Sequence, residues 1–103
     1  MLYEVDKVLL DVKPEVRVGD KVFLVDDRMS TFAKMNRALA EATTELSEFD
    51  IVIAHGITDE GLAEIKQMDL SFAVMNRVAL LVMAAMQGVS EEEAQRRFQS
   101  NVQ

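Results

Sequence analysis

His55, the only histidine of this 103-residue chain, is the first candidate for a catalytic side chain. Asp50 precedes it and Asp59 follows it, and a carboxylate that orients a histidine is a common arrangement in general acid–base catalysis. However, the sequence supplies no nucleophile in a recognisable motif. A histidine directly before Gly56 is also favourable at the carboxyl end of a helix, where the dipole stabilises a cation. We therefore expect no enzyme activity, and the alternative is a small hydrolase or isomerase that uses His55.

Two runs of neighbouring carboxylates, Asp26-Asp27 and Glu91-Glu92-Glu93, are the candidates for a metal site. Neither run has the alternating spacing or the glycine of a calcium-binding loop, and acidic residues are ordinary where a helix begins. The chain has no cysteine, so it has no thiolate ligand and no disulfide. Its four glycines form no phosphate-binding pattern. The sequence predicts no metal site, no cofactor and no catalytic residues.

The negative charge of the chain is concentrated in its middle. The formal net charge is −7, and residues 41–69 alone hold eight acidic residues against one basic residue, Lys66, so the remainder balances to zero with ten of each. The acidic residues of this segment are Glu41, Glu45, Glu48, Asp50, Asp59, Glu60, Glu64 and Asp69. These residues either form solvated helix faces or provide a surface that binds a basic partner. Nucleic acid is not expected as a partner, because phosphate contacts need clustered Lys and Arg.

The N-terminal sequence, MLYEVDKVLLDVK, places acidic residues among its apolar ones. It lacks the basic start and unbroken apolar stretch of a signal peptide. The longest apolar window, residues 78–86, is much shorter than the ~20 residues that a membrane span requires. We expect a soluble, cytoplasmic protein with no membrane partner.

The first 26 residues are predicted to form a β element. Residues 15–18 and 21–25 flank Gly19-Asp20, a two-residue connection typical of a tight β-hairpin. Residues 5–12 are a candidate third strand that ends before Pro14.

The following sequence is predicted to be helical. Asp26 or Asp27 is placed to cap a first helix that begins near Met29. Apolar residues then recur at spacings of three and four, forming one stripe: Phe32, Met35, Leu39, Ala42 and Leu46.

Two shorter helical stretches are expected next. The first covers residues 49–55 and ends at Gly56, although the β-branched residues 51–53 also suit a strand. Thr58 or Asp59 is placed to cap the second.

The last part contains the most apolar helix, which opens at Ser71 and ends at Gly88. Ser90 and Glu93 then form a capping box for a final helix. The chain is thus predicted to be one α+β domain dominated by helices. A β-hairpin or small antiparallel sheet occupies residues 1–26, about four helices occupy 27–99, and 100–103 form a frayed tail.

Methionine is unusually prominent in these helices. It fills irregular cores, and it also serves surfaces that fit varied apolar partners. We expect core filling for about half of the helical methionines. The candidates for an apolar patch between subunits or against a client helix are Met35, Met75, Met83 and Met86.

Two stretches of the chain carry a family resemblance. The first is residues 22–28, VFLVDDR, which run into the first helix with Lys34 and Asn36. The second comprises residues 68–72 (MDLSF), 81–90 (LVMAAMQGVS), Glu92-Glu93-Ala94 and Arg97-Phe98. Together these stretches cover roughly half of the chain, and they resemble the tail assembly chaperones of long-tailed phages and prophages.

The resemblance implies a small β element beside a helical body and no active site. It implies a protein that binds the tape-measure protein, a long helical and apolar chain, while tail-tube subunits polymerise around that chain. Members form homo-oligomers, and many also have a longer form made by ribosomal frameshifting, so this sequence resembles the short form. The expected location is the host cell cytoplasm.

Phe72 and Met75, near the start of the most apolar helix, are the contact positions that we assign to this role. The alternative function is a structural subunit of a virion or other protein assembly, in which the hairpin adds a strand between chains.

Overall fold

A short β-hairpin followed by helices makes up the fold, as the sequence predicts for an α+β chain dominated by helices. The computed structural model describes residues 1–2 and 13–102. In chain order the elements are β1 Glu15–Val18, β2 Lys21–Leu24, α1 Met29–Glu41, α2 Glu45–Gly56, α3 Asp59–Gln67, α4 Phe72–Gln87 and α5 Glu91–Val102. The described ranges thus contain five helices where about four were expected. The candidate third strand, residues 5–12, lies outside them.

Gly19 and Asp20 form the predicted hairpin turn between the antiparallel strands. Gly19 has a φ of +63°, a left-handed conformation that glycine adopts without a steric penalty. Val16, Val18 and Phe23 are buried, whereas the residues between them in the strands are exposed. The hairpin therefore has one apolar face that packs on the helices.

One backbone hydrogen bond extends the hairpin by a further pair of residues, and a second attaches it to α2. The Val25 N–H donates to the Pro14 carbonyl over 2.9 Å, and the Asp26 N–H donates to the Gly56 carbonyl over 2.8 Å. β1 also packs against α4. A lone hairpin is marginal in water, so these contacts with α2 and α4 supply the support that it needs.

Most of the helices begin at a hydroxyl side chain that accepts a hydrogen bond from a backbone N–H three residues later, which satisfies one of the unpaired amides of the first turn. The pairs are Thr44 with Ser47 (3.1 Å), Thr58 with Gly61 (2.9 Å), Ser71 with Val74 (3.2 Å) and Ser90 with Glu93 (3.2 Å). The predicted starts at Ser71 and Ser90 are confirmed, and Thr58 is the cap of α3.

The first apolar stripe is divided between two helices, and this corrects the sequence prediction. α1 ends at Glu41, Ala42 is extended, and α2 begins after the Thr44 cap. Leu46 therefore belongs to α2, which is longer than the predicted stretch of residues 49–55. At the other end of the chain α5 continues to Val102, beyond the residue 99 boundary of the predicted helical body.

Asp26 does not cap α1 in the predicted way. The N-cap residue is Arg28, without a side-chain cap bond. The Asp26 carboxylate instead accepts hydrogen bonds from the Arg28 guanidinium (2.9 and 2.8 Å), the Arg28 backbone N–H (3.2 Å) and the Thr31 hydroxyl (2.8 Å). The bonds with Arg28 and Thr31 outweigh partial desolvation and hold the pKa of Asp26 well below its usual range.

The turn between α4 and α5 follows the prediction in part. Gly88 adopts a φ of +67° and the Val89 N–H donates to the Ala84 carbonyl over 3.0 Å, which is the Schellman ending typical of glycine. The expected capping box is only half formed. The Glu93 carboxylate accepts a hydrogen bond from the Arg97 guanidinium (3.2 Å) instead of from the Ser90 backbone amide.

α2 and α4 form the centre of the core. α4 packs on α2, β1 and α5, and α2 also packs on α1 and α3. The most deeply enclosed side chains are Val25, Met35, Val52, Ile53, Ile65 and Val82. Gly56 lies so close to α4 that a Cβ atom there would overlap the Val82 side chain and lie 3.1 Å from Met86 Sδ.

We expect Gly56→Ala to lower the free energy of unfolding by about 1–3 kcal/mol, because the added methyl group overpacks the contact between α2 and α4. Urea denaturation measures the loss. Val82→Ala removes the atoms that the new methyl group meets, so the double variant should lose less stability than the two single losses combined. Additive losses would contradict the overlap.

Asp26→Asn should lower the free energy of unfolding by about 1 kcal/mol at pH 7, since it removes a charged acceptor. The pKa of Asp26 is lower in the folded state. Its contribution is therefore complete above the unfolded-state pKa, ~4, and is lost as the pH falls below that value. The difference between wild type and variant should shrink from pH 6 to pH 2. Asp27→Asn, at an exposed neighbour, is the control, and a constant Asp26 difference would contradict the prediction.

Candidate protein-contact surfaces

Three of the five predicted contact residues lie in the core of the chain. Met35 is 0% exposed, Met83 4% and Met86 6%, because the stripes that contain them pack against the chain's own hairpin and helices. Met75 is half-buried at the edge of this core, and Phe72 is 54% exposed. The expected surface patch is therefore reduced to Phe72 and Met75. A protein-binding role for these side chains stays a prediction.

Phe72 and Met75 line one wall of a groove of about 380 Å³, which we name the α2–α4 groove. Its lining comprises Leu46, Phe49, Asp50, Lys66, Leu70, Phe72 and Met75. The first two turns of α2 and the first turn of α4 supply the two walls, and the end of α3 with the following connector supplies the rest. The α2–α4 groove is thus apolar along its walls and charged at one edge.

Two large apolar side chains project at the α2–α4 groove, one from each wall. Leu46 on α2 is 64% exposed, and Phe72 is the first residue of α4. The Phe72 ring lies 5.2 Å from the ring of buried Phe49, with an angle of 57° between the planes. This tilted geometry is favourable for aromatic pairs, and it anchors Phe72 to α2 while one side of the ring remains accessible.

The turn that leads into α4 sets the position of Phe72. Asp69 adopts a left-handed φ of +51° after the end of α3, a conformation that Asp tolerates better than most residues. The Ser71 cap then starts α4. The half-buried Leu70 and the exposed Phe72 both line the groove, so this short connector forms part of the site.

The charged edge of the α2–α4 groove is an ion pair between two helices. Lys66 Nζ on α3 lies 2.8 Å from Asp50 Oδ2 on α2, and both side chains are substantially exposed. An exposed pair of this kind contributes little to stability. The pair does compensate the charge of one carboxylate at the groove.

The acidic segment extends along the chain from the last residue of α1 to the connector that precedes α4. Glu48 and Asp50 are half-buried, and the exposed members are Glu41, Asp59, Glu60, Glu64 and Asp69. Glu64 makes a long ion pair of 3.7 Å with Lys21, the first residue of β2. Asp50 is the acidic residue in the lining of the α2–α4 groove, where Lys66 pairs with it, and the exposed carboxylates of α3 are Asp59, Glu60 and Glu64.

His55 is engaged by its own helix. Its Nδ1 donates to the Ile51 carbonyl over 2.8 Å, and Asp50, a predicted orienting carboxylate, binds Lys66 instead. Within the described ranges, no three acidic or histidine side chains gather in an arrangement able to hold a metal ion.

A second groove, of about 590 Å³, lies between the start of α1, the end of α4 and α5. Its lining comprises Asp27, Met29, Phe32, Asn36, Met83, Met86, Gln87, Glu93, Arg96 and Arg97. Met83 and Met86 contribute only a small exposed area at its floor, whereas Met29 is 89% exposed. Its rim carries both signs of charge, so no preference for a charged partner follows from it.

The outer face of the hairpin is a third surface. Val22 and Leu24 of β2 are 48% and 60% exposed and face away from the buried Phe23. Across the sheet they pair with Arg17 and Glu15. This surface is small, and its apolar and charged side chains are mixed.

Sequence reasoning missed Leu46 and Leu70 as site residues. The spacing of apolar residues places Leu46 on the stripe of the first helix, whereas Thr43-Thr44, two β-branched residues with cap-forming hydroxyl groups, is the signal for a break before it. Leu70 lies in a connector, where apolar periodicity gives no information.

In the part of the chain that the structure describes, no single helix combines the length and apolar character needed to cross a membrane. α4 and residues 91–97 of α5 meet these criteria together, but they are bent by 98° at the break between them. No protein-family model, curated protein or solved structure matches this chain.

Proposed function

We propose that this protein is a tail assembly chaperone that binds apolar helical segments of the tape-measure protein and self-associates during tail assembly in the host cell cytoplasm. The support is of two kinds. The stretches 22–28, 68–72 and 81–90 resemble this family, and the fold offers an apolar surface at one of them. The 68–72 stretch supplies Leu70 and Phe72 to the α2–α4 groove.

The observation that supports a binding function best is the exposure of Leu46 and Phe72, which line the same groove from two different helices. Full burial of such a side chain is worth about 1.5–3 kcal/mol relative to exposure. A partner that covers both side chains recovers part of this free energy without any rearrangement of the core. A client rich in apolar helices, such as the tape-measure protein, presents suitable side chains.

Self-association is proposed to use a different surface, the outer face of the hairpin. Val22 and Leu24 are apolar, exposed and adjacent on this face, beside charges of both signs that a second copy complements. Contacts between copies at this face leave the α2–α4 groove accessible to a client. Tail-tube protein is a further proposed partner.

The hairpin also supports a second candidate function, a structural subunit of a virion or other assembly. In that case contacts through Val22 and Leu24 persist in the finished particle. A chaperone is instead released, so the presence or absence of the chain in purified particles separates the two functions.

Co-expression with the tape-measure protein tests the leading proposal. We expect the soluble fraction of the tape-measure protein to rise several-fold, because its apolar segments are covered by the chaperone. Gel densitometry and co-purification measure the effect. A soluble acidic protein of similar size, expressed at the same level, controls for charge and crowding. If the tape-measure protein remains equally insoluble and does not co-purify, the proposed function is wrong.

A further inference from the structure

We propose that two copies of this chain associate through the outer faces of their hairpins, which stack in antiparallel orientation about a two-fold axis. The arrangement rests on the self-association that the proposed function includes. It adds the orientation of the two copies and the charged residues that select this orientation. Two observations carry it: the pattern of side chains on the outer face of the hairpin, and the distribution of charge over the rest of the chain.

The outer face of the hairpin is built from alternate residues of its two strands. Glu15 and Arg17 are exposed on β1, and across the sheet they pair with Leu24 and Val22 of β2, which are also exposed. Side chains of directly opposed residues lie on the same face of a sheet. The four residues therefore form one exposed surface, with the two charged side chains along one strand and the two apolar side chains along the other.

The charges along this surface alternate in sign. Lys13, Glu15, Arg17 and the turn residue Asp20 are all exposed, and their charges follow one another as positive, negative, positive and negative. An alternating row of four charges becomes its own complement when its direction is reversed. A second copy in antiparallel orientation therefore places opposite charges over each other along the whole row, whereas parallel orientation places like charges together.

A two-fold axis that passes between the two rows of the surface produces this antiparallel contact. It places Arg17 of each copy over Glu15 of the other, and Leu24 of each copy over Val22 of the other. The contact thus buries apolar surface from both copies beside two ion pairs. A two-fold contact uses the same surface on both partners and is complete with two copies, so we expect a closed dimer and not a filament.

The distribution of charge over the chain favours a second copy as the partner of this face. The row from Lys13 to Asp20 has two positive and two negative exposed side chains, whereas residues 41–69 carry a charge of −7, equal to that of the whole chain. Two copies therefore repel each other where their acidic segments approach, and the balanced hairpin face avoids this repulsion. A balanced row also gives no net attraction to a uniformly charged partner.

The expected dimer is weak, because the outer face of the hairpin is smaller than the ~800 Å² per partner of a standard interface. We expect a dissociation constant above ~1 μM, so the dimer should appear as the protein concentration is raised. Sedimentation equilibrium between about 1 μM and about 1 mM measures the apparent mass. A chain that remains monomeric over this range would overturn the proposal.

Arg17→Glu and Glu15→Arg test the orientation of the two copies. Each variant places like charges over each other twice in the antiparallel dimer, so each should weaken the dimer roughly ten-fold. An equimolar mixture of the two variants restores opposite charges along the whole row and should associate at least as tightly as wild type. Arg37→Glu and Glu41→Arg make the same changes in net charge at exposed positions of α1, and each should change the dissociation constant less than about two-fold.

The mixture and the controls decide between the explanations of any weakening. Equal weakening by the hairpin variants and the α1 variants would mean that net charge acts, and not the outer face of the hairpin. A mixture that does not associate would overturn the antiparallel orientation. Circular dichroism confirms that each variant is folded, as expected for substitutions of exposed side chains.

The same variants separate this arrangement from the proposed function. If wild type solubilises the tape-measure protein but forms no dimer, or forms one that the hairpin variants do not weaken, the client binding stands and the arrangement is wrong. If the mixture restores the dimer while the tape-measure protein stays insoluble, the arrangement stands and the client binding is wrong. If Arg17→Glu abolishes co-purification of the tape-measure protein without changing the apparent mass, the face binds the client and not a second copy.

Discussion

The carboxyl end of α2 is the point where the hairpin, α2 and α4 come together, and their arrangement there depends on Gly56 having no side chain. Its carbonyl accepts the hydrogen bond that holds the end of the hairpin, and its Cα faces Val82 and Met86 of α4 without space for a methyl group. The close approach brings α2 and α4 side by side. The groove that we propose as the binding site lies between the opposite, amino-terminal ends of these same helices.

The division of apolar residues between core and surface follows from this packing. α4 is apolar on nearly every side, which indicates either a central helix or one covered by a partner. Contacts with α2, β1 and α5 cover most of it, and its exposed apolar residues are confined to the first turn, at Phe72 and Val74. The apolar surface that α4 leaves exposed is therefore smaller than the composition alone suggests, and it is limited to one end of the helix.

The helix starts were predictable because local chemistry determines them. Thr58, Ser71 and Ser90 act as caps within three residues of their partners, so tertiary contacts are not needed to identify them. The division of the first stripe was not predictable from periodicity, since Ala42 and Leu46 continue the spacing of α1 across a break. Met35, Met83 and Met86 are buried by contacts with residues that are distant in the sequence, and the spacing of apolar residues does not reveal such contacts. For the same reason the sequence indicated Phe72 and missed Leu46, which lines the same groove.

The burial of three methionines determines which methionines of this protein an oxidant can reach. Sulfoxide formation converts a methionine from apolar to polar, and its rate follows access of the oxidant to sulfur. Met35, Met83 and Met86 are shielded by the packing of the helices, whereas Met29 projects from the first turn of α1 with 89% of its surface exposed. Mild peroxide should therefore oxidise Met29 well before it oxidises Met35, Met83 and Met86. The protein should keep its fold while this exposed methionine is converted to the sulfoxide.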